Sequence, residues 1–356
     1  MKKNMKKLTS LLLALSMTAA LAACGSGSTS PTPTPAGDAN TDGPKTSGET
    51  LTLRMGNQQA ADSVATRLDQ EMCDRIAEAT DGRITVQLYS DSALGDYLNQ
   101  FDELMVGSLD IAHITASEAY DSRTSATMIP YLAFDYETLL SLYADGSFLR
   151  EELDDALNGV GIHLGGVFCE GFNGIGVMQT LENANVPGAE KGCIIRSPML
   201  DVYQLEMMDL GFRISSMPYS DTYSAMQTGV VAGLAGGTAQ INYLSFRDII
   251  TDYYEYRYNQ EATMILISQK TWDKISAEDQ AIITEIIDDI CVKAAEEAES
   301  ACNDAMDKLA DGGINVHTFT DEELAAFAES CRANVWPELG KNYPDGWIDQ
   351  LLEAVS

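Results

Sequence analysis

A guanidinium at the end of an apolar strand is the feature of this sequence best suited to chemistry. In Lys191-Gly192-Cys193-Ile194-Ile195-Arg196-Ser197-Pro198 the arginine follows two β-branched residues and precedes a serine and a proline. A planar fork of N–H donors at such a point suits two-pronged recognition of a carboxylate. The same arginine could equally pair with one of the chain's many acids as a structural ion pair, and spacing alone leaves both readings open.

Catalytic patterns are missing from the sequence. It holds no His-Glu-x-x-His, no phosphate-binding P-loop and no nucleophile elbow. Gly159-x-Gly161-x-x-x-Gly165 has the wrong final spacing for a dinucleotide loop, and it precedes a strand instead of joining strand to helix. His113, His163 and His317 are scattered among apolar, strand-like residues, a setting for packing and not for catalysis. Asp154-Asp155 and Glu296-Glu297 read as solvated helix faces. Cys73, Cys169, Cys193, Cys291, Cys302 and Cys331 form no CxxC pair and no zinc-ligand spacing with the histidines. They read as buried free thiols, and any disulfide pairing stays open. No enzyme activity, metal or cofactor is expected.

The elements that must position Arg196 follow from periodicity. Leu51 to Gly56 and Ile84 to Tyr89 alternate like strands, with an amphipathic helix at Val64 to Ala79 between them. Leu98 to Val106 reads as a second helix and Leu109 to Ile114 as a short strand. This βαβαβ order argues for a sheet covered by helices on both faces. Gly161 to Phe168, Ile194 to Arg196 and Arg213 to Met217 read as further strands, with a helix at Asp201 to Leu210. Tyr219 to Thr228 reads as a short helix, and Val230-Val231 as the start of the next strand. After Ser276, a helix N-cap with Glu278 and Asp279 in the first turn, an apolar stripe includes Ile282, Ile283, Ile286, Ile287, Ile290 and Val292. It runs on through Leu309 to Gly312-Gly313, long enough to bridge two lobes.

The chain opens with Lys2, Lys3, Lys6 and Lys7, an apolar run from Leu11 to Ala23, and Leu21-Ala22-Ala23-Cys24. That layout is an export leader (1–23) cut before a cysteine that takes a lipid. The apolar run is short for a membrane span. Residues 24–50 are rich in Gly, Ser, Thr and Pro and read as a flexible tether. Losing the four leader lysines takes the formal charge from −32 to −36. Such acidity excludes nucleic acid as a partner and leaves the acyl chains to hold the protein to a membrane.

Four blocks resemble the substrate-binding proteins of tripartite ATP-independent periplasmic (TRAP) transporters, of the dicarboxylate-binding type. They are Asp81-Gly82-Arg83-Ile84 with Ser92-Ala93-Leu94-Gly95 and Gly107-Ser108-Leu109-Asp110; Lys191 to Pro198; Met217 to Val231, beginning Met-Pro-Tyr-Ser-Asp; and Trp272 to Gln280 before the long helix. The resemblance covers nearly all of Leu51 to Ser356. It implies an α/β, two-lobed periplasmic-binding-protein fold (type II-like), with the long helix bridging lobe I (51–172 plus 262–300) and lobe II (173–261 plus 301–356).

The resemblance further implies a monomer that captures a small organic acid. The monomer hands the acid to a separate membrane carrier driven by an ion gradient. Arg196 falls on the arginine that pairs with the ligand carboxylate, Tyr219 on an aromatic that covers it, and Gln58 and Tyr97 on polar contact positions. Phe172, Asn173, Gly236, Gly237 and Thr238 complete the expected wall. Where the family often has a second arginine this chain has Gly176, and Leu234-Ala235-Gly236-Gly237 and Met199 replace asparagine positions. The pocket is therefore expected to be roomier and less polar on that side. A binding protein of an ATP-driven importer and a surface sensor or scaffold are the alternative readings.

Overall fold

Alternation of buried and exposed residues sets the first strand, β1 (Leu51–Asn57), in which Leu53 and Met55 face the core and Thr52 and Arg54 face out. The computed structural model describes residues 50–354, which belong to one compact unit. The leader, Cys24 and the tether up to residue 49 lie outside the described residues.

Helix α1 (Val64–Ala79) returns the chain to β2 (Ile84–Tyr89), parallel to β1. Ser63 caps α1, its hydroxyl accepting from the Thr66 N–H at 3.0 Å. Helix α2 (Tyr97–Val106) leads to β3 (Ile111–Ile114), also parallel to β1. Its C-terminus stops at Gly107, whose φ of 76° is the left-handed cap that favours glycine. Helices α3 (Tyr136–Tyr143) and α4 (Phe148–Gly159) precede the long strand β4 (Ile162–Phe172).

From β4 the chain passes through Asn173-Gly174 into β5 (Ile175–Val177), which belongs to a second sheet. That sheet also holds β6 (Ile194–Ser197), β7 (Arg213–Ser216), β8 (Gly233–Leu234) and β9 (Asp252–Tyr254). Helices α5 (Asp201–Leu210), α6 (Thr222–Gln227) and α7 (Ala239–Phe246) connect them. A single 3-10 turn at Tyr219–Asp221 precedes α6. The chain then returns to the first sheet as β10 (Gln260–Ser268), antiparallel to both β3 and β4. The first sheet runs β2-β1-β3-β10-β4.

After the short α8 (Gln269–Trp272), the helix α9 (Ala277–Asp311) spans 35 residues, about 52 Å at 1.5 Å per residue. Its first half buries Ile283, Ile286, Ile287 and Ile290 against the first sheet, and its last turns bury Ala305 and Leu309 against the second. The long helix thus bridges the two halves, as expected. Val292 leaves the stripe and is 47 % exposed, since helical spacing carries the buried row from Ile287 through Ile290 and Cys291 to Ala294.

Strand β11 (Asn315–His317) closes the edge of the second sheet, giving β11-β9-β5-β8-β6-β7. Helix α10 (Asp321–Asn334), with a capping box from Thr320 and Glu323, and α11 (Trp336–Leu339) pack on α5. Helix α12 (Trp347–Ala354) packs on α4, where the Trp347 indole N–H donates to Glu152 at 2.7 Å.

Two local differences from the sequence reading stand out, while the cysteines follow it. Gly229, at φ 74°, ends the turn after α6, so Val230 is exposed and the expected strand begins at Gly233. Strand β10 shows no alternation, because all nine residues are buried between β3 and β4 and under helices. The six cysteines of the body are free thiols; five are buried and Cys302 is partly exposed. No helix among the described residues is long and apolar enough to cross a membrane.

Candidate functional site

The two sheets are joined at a pair of crossings that lie side by side. One is Phe172-Asn173-Gly174 between β4 and β5; the other is residues 255–259 between β9 and β10. The Asn173 N–H donates to the Asn259 carbonyl at 2.8 Å, and the Asn173 amide donates to the Asn259 side-chain oxygen at 2.9 Å. In front of this junction a cavity is walled from both halves. Gln58, Gln59, Tyr97 and Thr115 contribute from the first; Arg196, Pro198, Tyr203, Tyr219, Gly236 and Ile241 from the second; Glu261 stands at the crossing itself.

Strand β6 delivers Arg196 to this cavity. Its side chain is buried, with 2 % exposed. Its Nε donates to the Met217 carbonyl at 3.1 Å and its Nη1 to the Ala235 carbonyl at 3.0 Å. The guanidinium carbon lies 5.8 Å from the centre of the Tyr219 ring, within cation–π range. Carbonyl dipoles and a ring orient the group without cancelling its charge, and among the described residues no carboxylate forms an ion pair with it. Burial lowers its pKa from the ordinary arginine value, the cost of holding a charge out of water. A guanidinium so held stays protonated, ready for an anion that enters the cavity.

The backbone of Gly236 also lies beside this group. It sits at φ 80°, and an added Cβ would come within 3.1 Å of Pro198 Cγ and 3.3 Å of Arg196 Nη1. Its N–H donates to the Tyr258 hydroxyl at 2.8 Å. A side chain here would strain the backbone by about 1–2 kcal/mol and crowd the guanidinium.

Gln58 and Thr115 lock each other: the Gln58 amide donates to the Thr115 hydroxyl at 3.2 Å and its carbonyl accepts from the Thr115 N–H at 3.1 Å. Gln59 instead reaches back, donating to Glu170 at 2.7 Å. Burial is the main cause that raises the pKa of Tyr97 and pushes that of Tyr219 up to about 12, so both phenols stay neutral. Glu261 Oε2 accepts from the Asn173 amide at 2.8 Å and from the Tyr203 hydroxyl at 3.1 Å. Burial raises its pKa, against those two hydrogen bonds and the nearby charge of Arg196.

Five of the nine expected wall residues line the cavity: Arg196, Tyr219, Gln58, Tyr97 and Gly236. The other four lie elsewhere. Phe172 faces a different groove, under the Arg257 guanidinium at 4.5 Å from the ring centre. Asn173 is fully buried, and its amide is spent on the crossing and on Glu261. The Gly237 carbonyl accepts from the Asn242 amide at 3.0 Å. The Thr238 hydroxyl caps α7 by accepting from the Ile241 N–H at 3.4 Å. Backbone and capping needs thus draw these residues behind the wall.

Side chains crowd the side of the cavity near the glycines. The Asn242 side chain occupies the space that a side chain on Gly176 would take, and Tyr203 and Ile241 fill the wall near Gly236. Of the residues that sequence reasoning missed, Gln59 adjoins Gln58, and Glu261 is an acid near the start of the long apolar run of β10. Recognition of that run as a buried strand would have singled Glu261 out.

Residues 55–340 match the family described as bacterial extracellular solute-binding protein, family 7. The sialic acid-binding periplasmic protein of Vibrio cholerae serotype O1 is 25 % identical over 310 residues, covering 85 % of this chain and 86 % of its own. Among solved structures, the sugar acid binding protein of Advenella mimigardefordensis in complex with galactonate superposes with a TM-score of 0.78 at 20 % identity, covering 86 % of this chain and 98 % of its own. A TRAP periplasmic solute binding protein from Desulfovibrio salexigens with bound orotic acid also gives 0.78, at 15 % identity, with 85 % and 98 % covered. These structures share the fold of two α/β halves with this chain.

Proposed function

We propose that this chain, which belongs to the bacterial extracellular solute-binding proteins of family 7, captures a small carboxylate outside the cytoplasm and delivers it to the membrane subunits of a TRAP carrier. It is a binding protein and not an enzyme. One observation carries the reading: a buried guanidinium, Arg196, that has no ion pair among the described residues, in a cavity whose walls come from both sheets. The carboxylates bound by the galactonate and orotic acid complexes support it.

The cavity is closed down around its polar groups, so a solute enters when the halves part and is enclosed when they close. Binding shifts that population by the ligand's differential affinity for the closed form. The lobes divide near residues 172–173 and 261–262, with α9 passing from one to the other near residue 300. The monomer releases its ligand when the carrier favours the open form.

A screen of organic acids by thermal denaturation of the purified protein tests this reading. A specific acid at a hundred times its Kd should stabilise the fold by about 2.7 kcal/mol. A shift by neutral sugars or cations, with no shift by any acid, would contradict it.

Lipidation at Cys24 is the proposed anchor, supported by the basic, apolar and small-residue order of the leader. Cys24→Ser in the native host should move the protein from the membrane fraction to the soluble fraction. Unchanged membrane retention would reject the anchor.

A further inference from the structure

The cavity that holds Arg196 also holds a carboxyl. Glu261 is 5 % exposed and, with Arg196, is one of the two charged side chains among the described residues that line the cavity. The two do not form an ion pair with each other. Each is held by neutral partners of its own: Arg196 by the carbonyls of Met217 and Ala235, Glu261 by the Asn173 amide and the Tyr203 hydroxyl. A guanidinium and a carboxyl are therefore fixed apart in one cavity, each held by hydrogen bonds of its own.

A buried charge is costly unless it is paired. A simple anion on Arg196 would set two negative groups against one positive in a closed cavity. A molecule that carries an ammonium as well as a carboxylate adds no net charge and gives each wall group its counter-ion. Only one orientation satisfies both.

Resting on the carboxylate reading above, we propose that the ligand is a zwitterion, a small amino acid whose carboxylate meets Arg196 and whose ammonium meets Glu261. The ammonium gives Glu261 a cation in direct contact, in addition to the nearby charge of Arg196. Tyr97 and Tyr219 close over the ligand's carbon skeleton.

Matched pairs separate this from a site for hydroxy acids. Calorimetry on the purified protein would compare alanine with lactate, serine with glycerate, and β-alanine with 3-hydroxypropionate. At least one amino acid is expected to bind ten-fold or more tighter than its hydroxy partner. Glu261→Gln, which keeps an oxygen for Asn173 and Tyr203, should abolish that preference while the hydroxy acid's affinity holds or rises. Hydroxy acids binding the wild type as well as or better than every amino acid would overturn the proposal and leave the carboxylate reading standing. So would a Glu261→Gln protein that folds and keeps the preference. If the variant does not fold, the wild-type comparison decides alone. Binding of neither series, with organic amines binding instead, would overturn both readings.

Discussion

Arg196→Ala is expected to weaken binding of the captured acid by about 2–4 kcal/mol, the range for removing one member of a buried charge pair. In affinity this is roughly thirty-fold to several-hundred-fold. The effect is large because the guanidinium is already desolvated and oriented, so the unliganded protein has borne the cost of burying it. The truncation also leaves the Met217 and Ala235 carbonyls without that donor, a stability loss of about 1–3 kcal/mol. Denaturant unfolding of the variant measures that second effect separately. Arg196→Lys keeps the charge and loses the fork, so it should fall between wild type and alanine. An alanine variant that folds and binds within two-fold of wild type would remove Arg196 from the site.

Asp69→Ala is expected to cost about 3–5 kcal/mol of stability, as breaking a buried pair leaves its partner uncompensated. Asp69 and His113 are both fully buried. The His113 Nδ1 lies 2.9 and 3.0 Å from the two Asp69 oxygens, and its Nε2 lies 2.8 Å from the Thr263 hydroxyl. The same hydroxyl donates to Glu170 at 2.9 Å, which also accepts from Gln59 of the cavity wall. Burial works against the charged imidazole, yet the charge and hydrogen bond of Asp69 outweigh it and hold the His113 pKa above the ordinary 6.5.

The sign follows. With a folded pKa above the unfolded one, the pair's contribution is fully present below about pH 6.5 and is lost as pH rises through the raised value. Asp69→Ala should therefore cost most at mildly acidic pH and less at high pH. Urea unfolding across that range reads both size and slope. A loss below about 1 kcal/mol at every pH would mean that the two groups are buried neutral.

Much of this arrangement was legible in residue order. Elements with one buried face left a periodic record. Helix α1, strand β2 and helix α5 begin and end where the alternation or helical stripe does, and Ser276 marks the start of α9. Strand β10 left no record because both its faces are buried, and short apolar runs do not declare their period. Glu261 was hidden with it. Arg196 was legible because a charge at the end of an apolar strand is conspicuous. Asn173 and Thr238 lie behind the cavity wall for the opposite reason: their side chains satisfy backbone and crossing partners that only the tertiary fold brings near. Crowding at Gly176 and Gly237 was not visible either, since Asn242 and Ile241 come from a helix that follows the glycines.

A crystal structure of the protein with the acid identified by screening tests the central claim most directly. The account predicts a carboxylate oxygen about 2.7–2.9 Å from the Arg196 guanidinium, with the ligand touching Gln58 or Tyr97 from one sheet and Tyr219 from the other. A ligand seated elsewhere, for instance against Arg257 and Arg332 in the groove beside Phe172, with Arg196 still on its two carbonyls and no anion near it, would contradict it.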